Sequence, residues 1–319
     1  MKQRLTLTFM FGFSVLLLLT QPVLAVATPA ETKFAGKIIR SLSVEASRIL
    51  VGLKGGQPGT ALVYESQDSG RTWRGLNGGR SLSPQATDVQ AVAAIGAVIF
   101  AGTWKHGLFV SRDGGATFQH QAGFPSNDIR SVRVVSRGKD SVVYAATARD
   151  GVFRSHDRGA SWTALGPGRD FFWSLSADEE RVYAVSLETA IYRQTHGAKS
   201  WEKIFDQDDA YSLASDSNGE RLAVAAQTGA YHSQDSGKSW QRVALSGREK
   251  LSSVLYLKGG SALFGSWSNG LIRVGSENGA ARRILQKTAV LHLALSGETL
   301  VVGTWGAGLK LLPLGAVLK

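Results

Sequence analysis

Three groups of residues in this 319-residue chain have types and settings from which chemistry can be built. The first is a set of carboxylates in turn-rich segments: Asp150, Asp170 and the run Asp206-x-Asp208-Asp209. Two carboxyl groups held roughly 5 to 10 Å apart across a sugar would make a glycosidase pair. No feature of the sequence singles out such a pair, and an acidic run is ordinarily a solvated loop. The second group is aromatic and basic. Trp104-Lys105, Trp267 and Trp305 each follow Thr or Ser, and Arg149 and Phe172, the latter within Phe171-Phe172-Trp173, fall in turns predicted to reach the same rim. Aromatics beside cations suit capture of a protein surface or stacking on a sugar ring. Equally, a Trp repeated in three units is what a packing role gives, and Lys105 and Arg149 also fit solvated surface charges. The third group is six histidines, scattered without metal-ligand spacing. The chain has no Cys, which excludes disulfides, thiolate metal sites, iron-sulfur clusters and a thiol nucleophile. No serine-hydrolase elbow, phosphate loop or dinucleotide fingerprint is present in context. The sequence therefore nominates no catalytic, cofactor-binding or metal-binding residue and no cofactor.

The elements that must position these residues follow from a repeat. The octapeptide Ser-x-Asp-x-Gly-x-Thr/Ser-Trp/Phe occurs at 66–73, 111–118, 155–162 and 233–240, with a decayed copy ending at Trp201 and a weaker one through Glu277 and Gly279 that has lost its aromatic. The aromatic positions are 45, 44, 39 and 39 residues apart. Periods of this length mean one supersecondary unit per repeat, here the four strands of a propeller blade. Strand-length apolar or alternating runs such as Val142-Val143-Tyr144-Ala145-Ala146 are bounded by turn residues, and helix signals are nearly absent. The strand succession restarts near Ser41, Val89, Ile129, Phe172, Ala210, Leu251 and Val290. The expected fold is thus all-β, a seven-bladed propeller of four-stranded antiparallel blades. The last unit shows only three strands, so the stretch from Lys33 to Ile39, within residues 28–40, is expected to supply its outer strand and close the ring.

Within the octapeptide, Asp68, Asp113, Asp157 and Asp235 can accept turn N–H groups, the following Gly can take positive φ, and the aromatic can pack on the sheet. These are structural roles, and the aspartates lack the dense spacing of a calcium loop. The octapeptide is similar to the Asp-box, and over its mature length the chain resembles the BNR/Asp-box propeller superfamily, in which that box turns between the third and fourth strands. The motif marks the fold and is a weak marker of function.

Composition and charge set the compartment. With 43% hydrophobic and 19% charged residues the chain is a folded one, and 37 Gly without a collagen period mark it as rich in turns. Lys2 and Arg4 precede an apolar run from Leu5 to Leu19 and small-residue cleavage positions near Ala25 and Ala27. Residues 1–27 read as a secretory signal peptide, too short for a bilayer span, leaving a single domain over 28–319 in the periplasm or outside the cell. Losing Lys2 and Arg4 lowers the net charge from +11 to +9. A basic exported protein is drawn to acidic lipid, acidic polysaccharide or an acidic protein face, and not to nucleic acid.

Sialidases share the superfamily, but Ile38-Ile39-Arg40 leads into Ser41 in place of the Arg-Ile-Pro element. A single exported propeller without the sialidase residues is similar to the photosystem II stability/assembly factor family and its relatives in non-photosynthetic bacteria. That resemblance implies a non-enzymatic scaffold that assembles or stabilises a membrane complex, with a protein partner on the extracytoplasmic side. The alternative is a carbohydrate-binding or glycoside-hydrolysing propeller.

Overall fold

The computed structural model describes residues 29–55, 59–137, 140–276 and 279–318. The expected signal peptide lies outside the described residues. Seven antiparallel sheets follow one another along the chain, six with four strands and a last one with three. Their innermost strands are Ile38–Glu45, Val89–Ile95, Ile129–Arg137, Phe172–Ala177, Ala210–Ser215, Leu251–Tyr256 and Val290–Ser296, and each touches the next around a central channel, the last returning to the first. The chain is a seven-bladed β-propeller.

The second strand of each blade is sandwiched between neighbouring sheets, which is why it reads as an unbroken apolar run rather than an alternating one. Val98–Thr103 and Leu222–Ala226 are buried at every position. Near the axis the blades approach so closely that only glycine fits at one place in several of these strands. In blade 7 a Cβ on Gly303 would stand 2.8 Å from Ile39 Cγ2 of blade 1, and Gly102 holds the same relation to Ile129.

The ring closes without the expected outer strand. Residues Pro29–Lys33 form a short helix packed on the third strand of blade 7, Leu309–Pro313, and Ile38 already belongs to the inner strand of blade 1. The helix is favoured locally: Pro29 opens it, Ala30, Glu31 and Lys33 are good helix formers, and Gly36 at φ 69° follows its end. Phe34 then wedges edge-on against Tyr64 and Trp73 at 5.3 and 4.9 Å. The segment still ties the ends of the ring together through Gly308 N–H to Lys37 O, and the turn after the inner strand of blade 1 adds Ser296 Oγ to Ala46 O. A second helix, Leu314–Leu318, follows the last strand and buries Val317 between blades 6 and 7.

The octapeptide turns connect third to fourth strands, as at Val63–Ser66 and Arg74–Gly75. Asp68 accepts from Thr72 N at 2.8 Å and from Thr72 Oγ1 at 2.6 Å, and Ser66 Oγ accepts from Gly70 N at 2.8 Å. The same bonds recur around Asp113, Asp157 and Asp235. Hydrogen bonds from the Thr or Ser hydroxyl and backbone N–H hold all four carboxyls below the usual range, Asp68 and Asp235 down to about 2. Gly70 at φ 89° and Gly115 at φ 90° take the left-handed conformation that the turn requires.

Candidate functional site

The second-to-third loops and the connections between blades open on the face opposite the octapeptide turns, where each inner strand begins. Every inner strand is bulged at its second or third residue, and the residue thrust out of the ladder points to the channel mouth. Around the ring these residues are Arg40, Gln90, Arg130, Trp173, Tyr211, Ser252 and Leu291. A bulge leaves its residue unpaired and re-aims it, so one local irregularity repeated seven times builds the rim.

Their side chains nearly fill the mouth, leaving a cavity of about 90 Å³. A chain of aromatic contacts crosses four blades: Phe171 stacks on Trp173 at 6.4 Å, Trp173 meets Tyr211 at 6.0 Å, Tyr211 meets Trp267 at 5.9 Å and Trp267 meets Trp305 at 6.4 Å. Cations lie over these rings. Arg40 is 5.4 Å and Arg130 5.7 Å from Trp173, Arg130 and Arg149 sit 5.0 and 5.6 Å from Phe171, Lys250 bridges Tyr211 and Trp267, and Lys54 lies 5.0 Å from Trp305. Each such contact stabilises by about 0.5 to 2 kcal/mol depending on exposure.

Charge at the mouth is compensated unevenly. Arg40 faces Asp88 at 3.5 Å and Arg130 faces Asp128 at 2.9 Å. Burial raises both carboxyls above their ordinary values, against the pull of these arginines. Burial also lowers Arg40. Arg149 pairs with Glu188 at the exposed rim, whereas Lys250 makes no salt bridge with a described residue. Deeper in the channel, Arg133 is enclosed by blades yet reachable by water. It donates to the carbonyls of Leu175 and Val132, and burial lowers its pKa. His292 beside it is pushed down to about 3 by burial and then by Arg40 and Arg133, and is neutral.

The structure thus brings together Trp267, Trp305 and, through Phe171, Arg149. Trp305 is 42% exposed and Trp104 40%, which makes them the most open aromatics on this face. Trp104 and Lys105 form a pair of their own at 4.6 Å, outside the aromatic chain. Phe172 is corrected: it is fully buried against the core of blades 3 and 4, because alternation along the strand turns its neighbours outward and it inward. Tyr211, Arg40, Arg130, Lys250 and Lys54 are the residues that sequence reasoning did not single out, and Trp173 entered only as a member of the group around Phe172. A signal existed, since six of the seven bulged residues follow directly after a repeat start, as Arg130 follows Ile129 and Tyr211 follows Ala210.

The acidic loop residues have local occupations. Asp170 accepts from Phe171 N and Ser186 Oγ, both at 2.7 Å, and from Thr189 Oγ1. Asp208 accepts from Thr228 N at 3.0 Å and Thr228 Oγ1 at 2.6 Å. Among the described residues there is no group of three or more His, Asp or Glu able to hold a metal, and no helix long and apolar enough to cross a membrane.

Neither a family model nor a curated protein matches the sequence. Solved structures share the fold. YCF48 bound to D1 peptide aligns with a TM-score of 0.68 at 14% identity, covering 90% of this chain and 95% of that one. The extracellular domain of the hybrid two component system BT3049 from B. thetaiotaomicron gives 0.67 at 14% identity, over 88% of this chain and 40% of that one. An ancestral GH74 enzyme gives 0.67 at 19% identity, over 86% and 44% respectively. At these identities the likeness is one of fold.

Proposed function

We propose that this protein is an exported, non-enzymatic Asp-box propeller that captures a protein partner on its channel-mouth face and acts as an assembly or stability factor for a membrane-associated complex. The observation that carries this reading is the aromatic chain from Phe171 to Trp305 with cations over its rings. Tryptophan, tyrosine and arginine at the centre of a face are the residues from which interfaces draw their affinity, and a polar rim surrounds them here. The similar structure YCF48 bound to D1 peptide, 95% of which aligns with this chain, is one that holds a peptide.

A membrane-side partner fits the signal-like N-terminus and the net charge, which favour an acidic surface outside the cytoplasm. The test is crosslinked capture from solubilised membranes by the unaltered chain and by a Tyr211→Ala, Trp267→Ala variant of equal thermal stability. One membrane-complex subunit enriched by the first and lost by the second supports the proposal. Equal recovery by both rejects the face.

The glycan alternative draws on Trp104 and Trp305, whose exposed rings could stack on a sugar. Binding on a glycan array, lost on Trp305→Ala and accompanied by no protein capture, would replace the assembly role with a lectin role. Turnover of a glycoside that disappears on Asp150→Asn or Asp208→Asn would replace it with hydrolysis.

A further inference from the structure

The octapeptide aromatics also act as wedges between blades. Trp162, Trp201 and Trp240 each lie in the crevice between their own blade and the one before it. The indole N–H of Trp201 donates to Leu165 O at 2.9 Å and that of Trp240 to Ile204 O at 2.6 Å, in each case the carbonyl three residues past the preceding wedge. Strand register fixes the place of the wedge. It stands two residues before Ala164, Lys203 and Arg242, the outer-strand partners of Phe153, Tyr192 and Tyr231. In blade 6 the equivalent pair is Ile272 with Arg283, so the wedge position is Ala281, one residue before the Arg282 that octapeptide spacing from Gly279 gives.

The missing ring leaves space. Between blades 5 and 6 is a crevice of about 510 Å³, within the size range of small-molecule sites. One wall carries Ala223, His232 and Gln241, and the other Ala262, Phe264 and Val274. The carbonyl-bearing residue in the acceptor position, three past Trp240, is Val243, and it lines the crevice. Arg221, Arg242 and Tyr256 also line it, and no Asp or Glu is among the described lining residues. At the crevice between blades 6 and 7, by contrast, the C-terminal helix supplies Val317 as filler. Trp162 sits in its crevice with no partner for its indole N–H, so the crevices share a place for a planar ring, and the donor bond belongs to Trp201 and Trp240, whose acceptor position the opening between blades 5 and 6 repeats.

We propose that this crevice binds a small planar heteroaromatic ligand with a ring N–H, seated where blades 3 to 5 hold their own tryptophan, its N–H donated to the Val243 carbonyl. The site is distinct from the channel mouth, and its test does not depend on the partner proposed above.

The probe is indole, followed by ligand-observed NMR on the whole chain, with 1-methylindole as the analogue that lacks the donor. Indole is expected to bind with a Kd on the order of 0.1 to 1 mM, ordinary for about nine non-hydrogen atoms, and 1-methylindole several-fold more weakly. Ala281→Trp, which restores the wedge, should abolish indole binding and raise the melting temperature. No binding at about 10 mM indole, equal binding of 1-methylindole, or undiminished binding to folded Ala281→Trp overturns the proposal. Should Ala281→Trp fail to fold, 5-bromoindole soaked into crystals of the unaltered chain decides. Bromine anomalous density between Ala223 and Val274 supports the site, and its absence there refutes it.

Discussion

The guanidinium of Arg40, on blade 1, lies 5.4 Å from the ring centroid of Trp173, on blade 4, so these two side chains meet across the channel mouth. The channel is therefore closed at this end by a cation on an aromatic face, and the mouth is a surface to be contacted rather than a pore to be entered. Whatever binds here meets rings already oriented by one another and by the arginines, which lowers the ordering cost of association.

Trp173 and Phe172 are adjacent in sequence and opposite in role, and truncation should separate them. Phe172→Ala empties a fully buried site and is expected to cost about 3 to 5 kcal/mol of stability. Trp173→Ala removes a partly buried ring from the mouth and should weaken partner binding by about 2 kcal/mol, roughly 30-fold, with little change in melting temperature. Thermal denaturation together with titration of the captured partner checks both. The assignment fails if Phe172→Ala is the variant that loses binding while remaining fully stable.

Ring closure depends on the narrow approach of blade 7 to blade 1. Gly303→Val puts a branched side chain where even a Cβ meets Ile39 at 2.8 Å, so it should destabilise the domain by about 1 to 3 kcal/mol through overpacking. Ile39→Ala, Gly303→Ala makes the room that Gly303→Ala alone lacks. The double variant is expected to lose less stability than the sum of the two single changes, as chemical denaturation of all three would reveal.

The fold was legible because its signal repeats. Four octapeptides in register and seven strand successions fixed blade count and orientation, since each carries turn chemistry that no helix tolerates. The outer strand of blade 7 was misread because residues 33–39 have strand-like composition, while Pro29 and Gly36 favour a helix that runs to Lys33 and a turn after it. The site was legible only in part. Loop tryptophans stand out by type, but Arg40 and Tyr211 owe their position to a bulge, and a bulge is a register shift between strands that composition does not display.

Lys250 bridges Tyr211 and Trp267 from the exposed rim without a carboxylate to neutralise it among the described residues. Such a charge acts over distances near the Debye length, about 8 Å at physiological ionic strength. Lys250→Gln should therefore slow association several-fold at low salt and reduce the salt dependence of the on-rate, with a smaller effect on dissociation. Stopped-flow or surface-capture kinetics at two salt concentrations would show it. Arg149→Gln should do less, because Glu188 already pairs with Arg149 at 3.0 Å.

His292 gives the channel a pH signature in stability. Burial and the nearby Arg40 and Arg133 hold its imidazole at about 3 in the folded protein, against about 6.5 when unfolded. Below pH 6.5 the unfolded chain takes up a proton that the folded chain refuses. Stability from this residue is thus complete above about pH 6.5 and is lost as pH falls toward 3, at up to about 1.4 kcal/mol per pH unit. Asp88 and Asp128, whose folded values are raised by burial, work in the opposite sense as pH falls, so the unaltered protein shows the sum. His292→Gln keeps a neutral polar side chain in the same place and removes one titration only. Subtracting its denaturation curve from that of the unaltered chain between pH 6.5 and about 4.5 isolates the histidine, and a difference that does not change with pH would show that His292 is not held neutral by the fold.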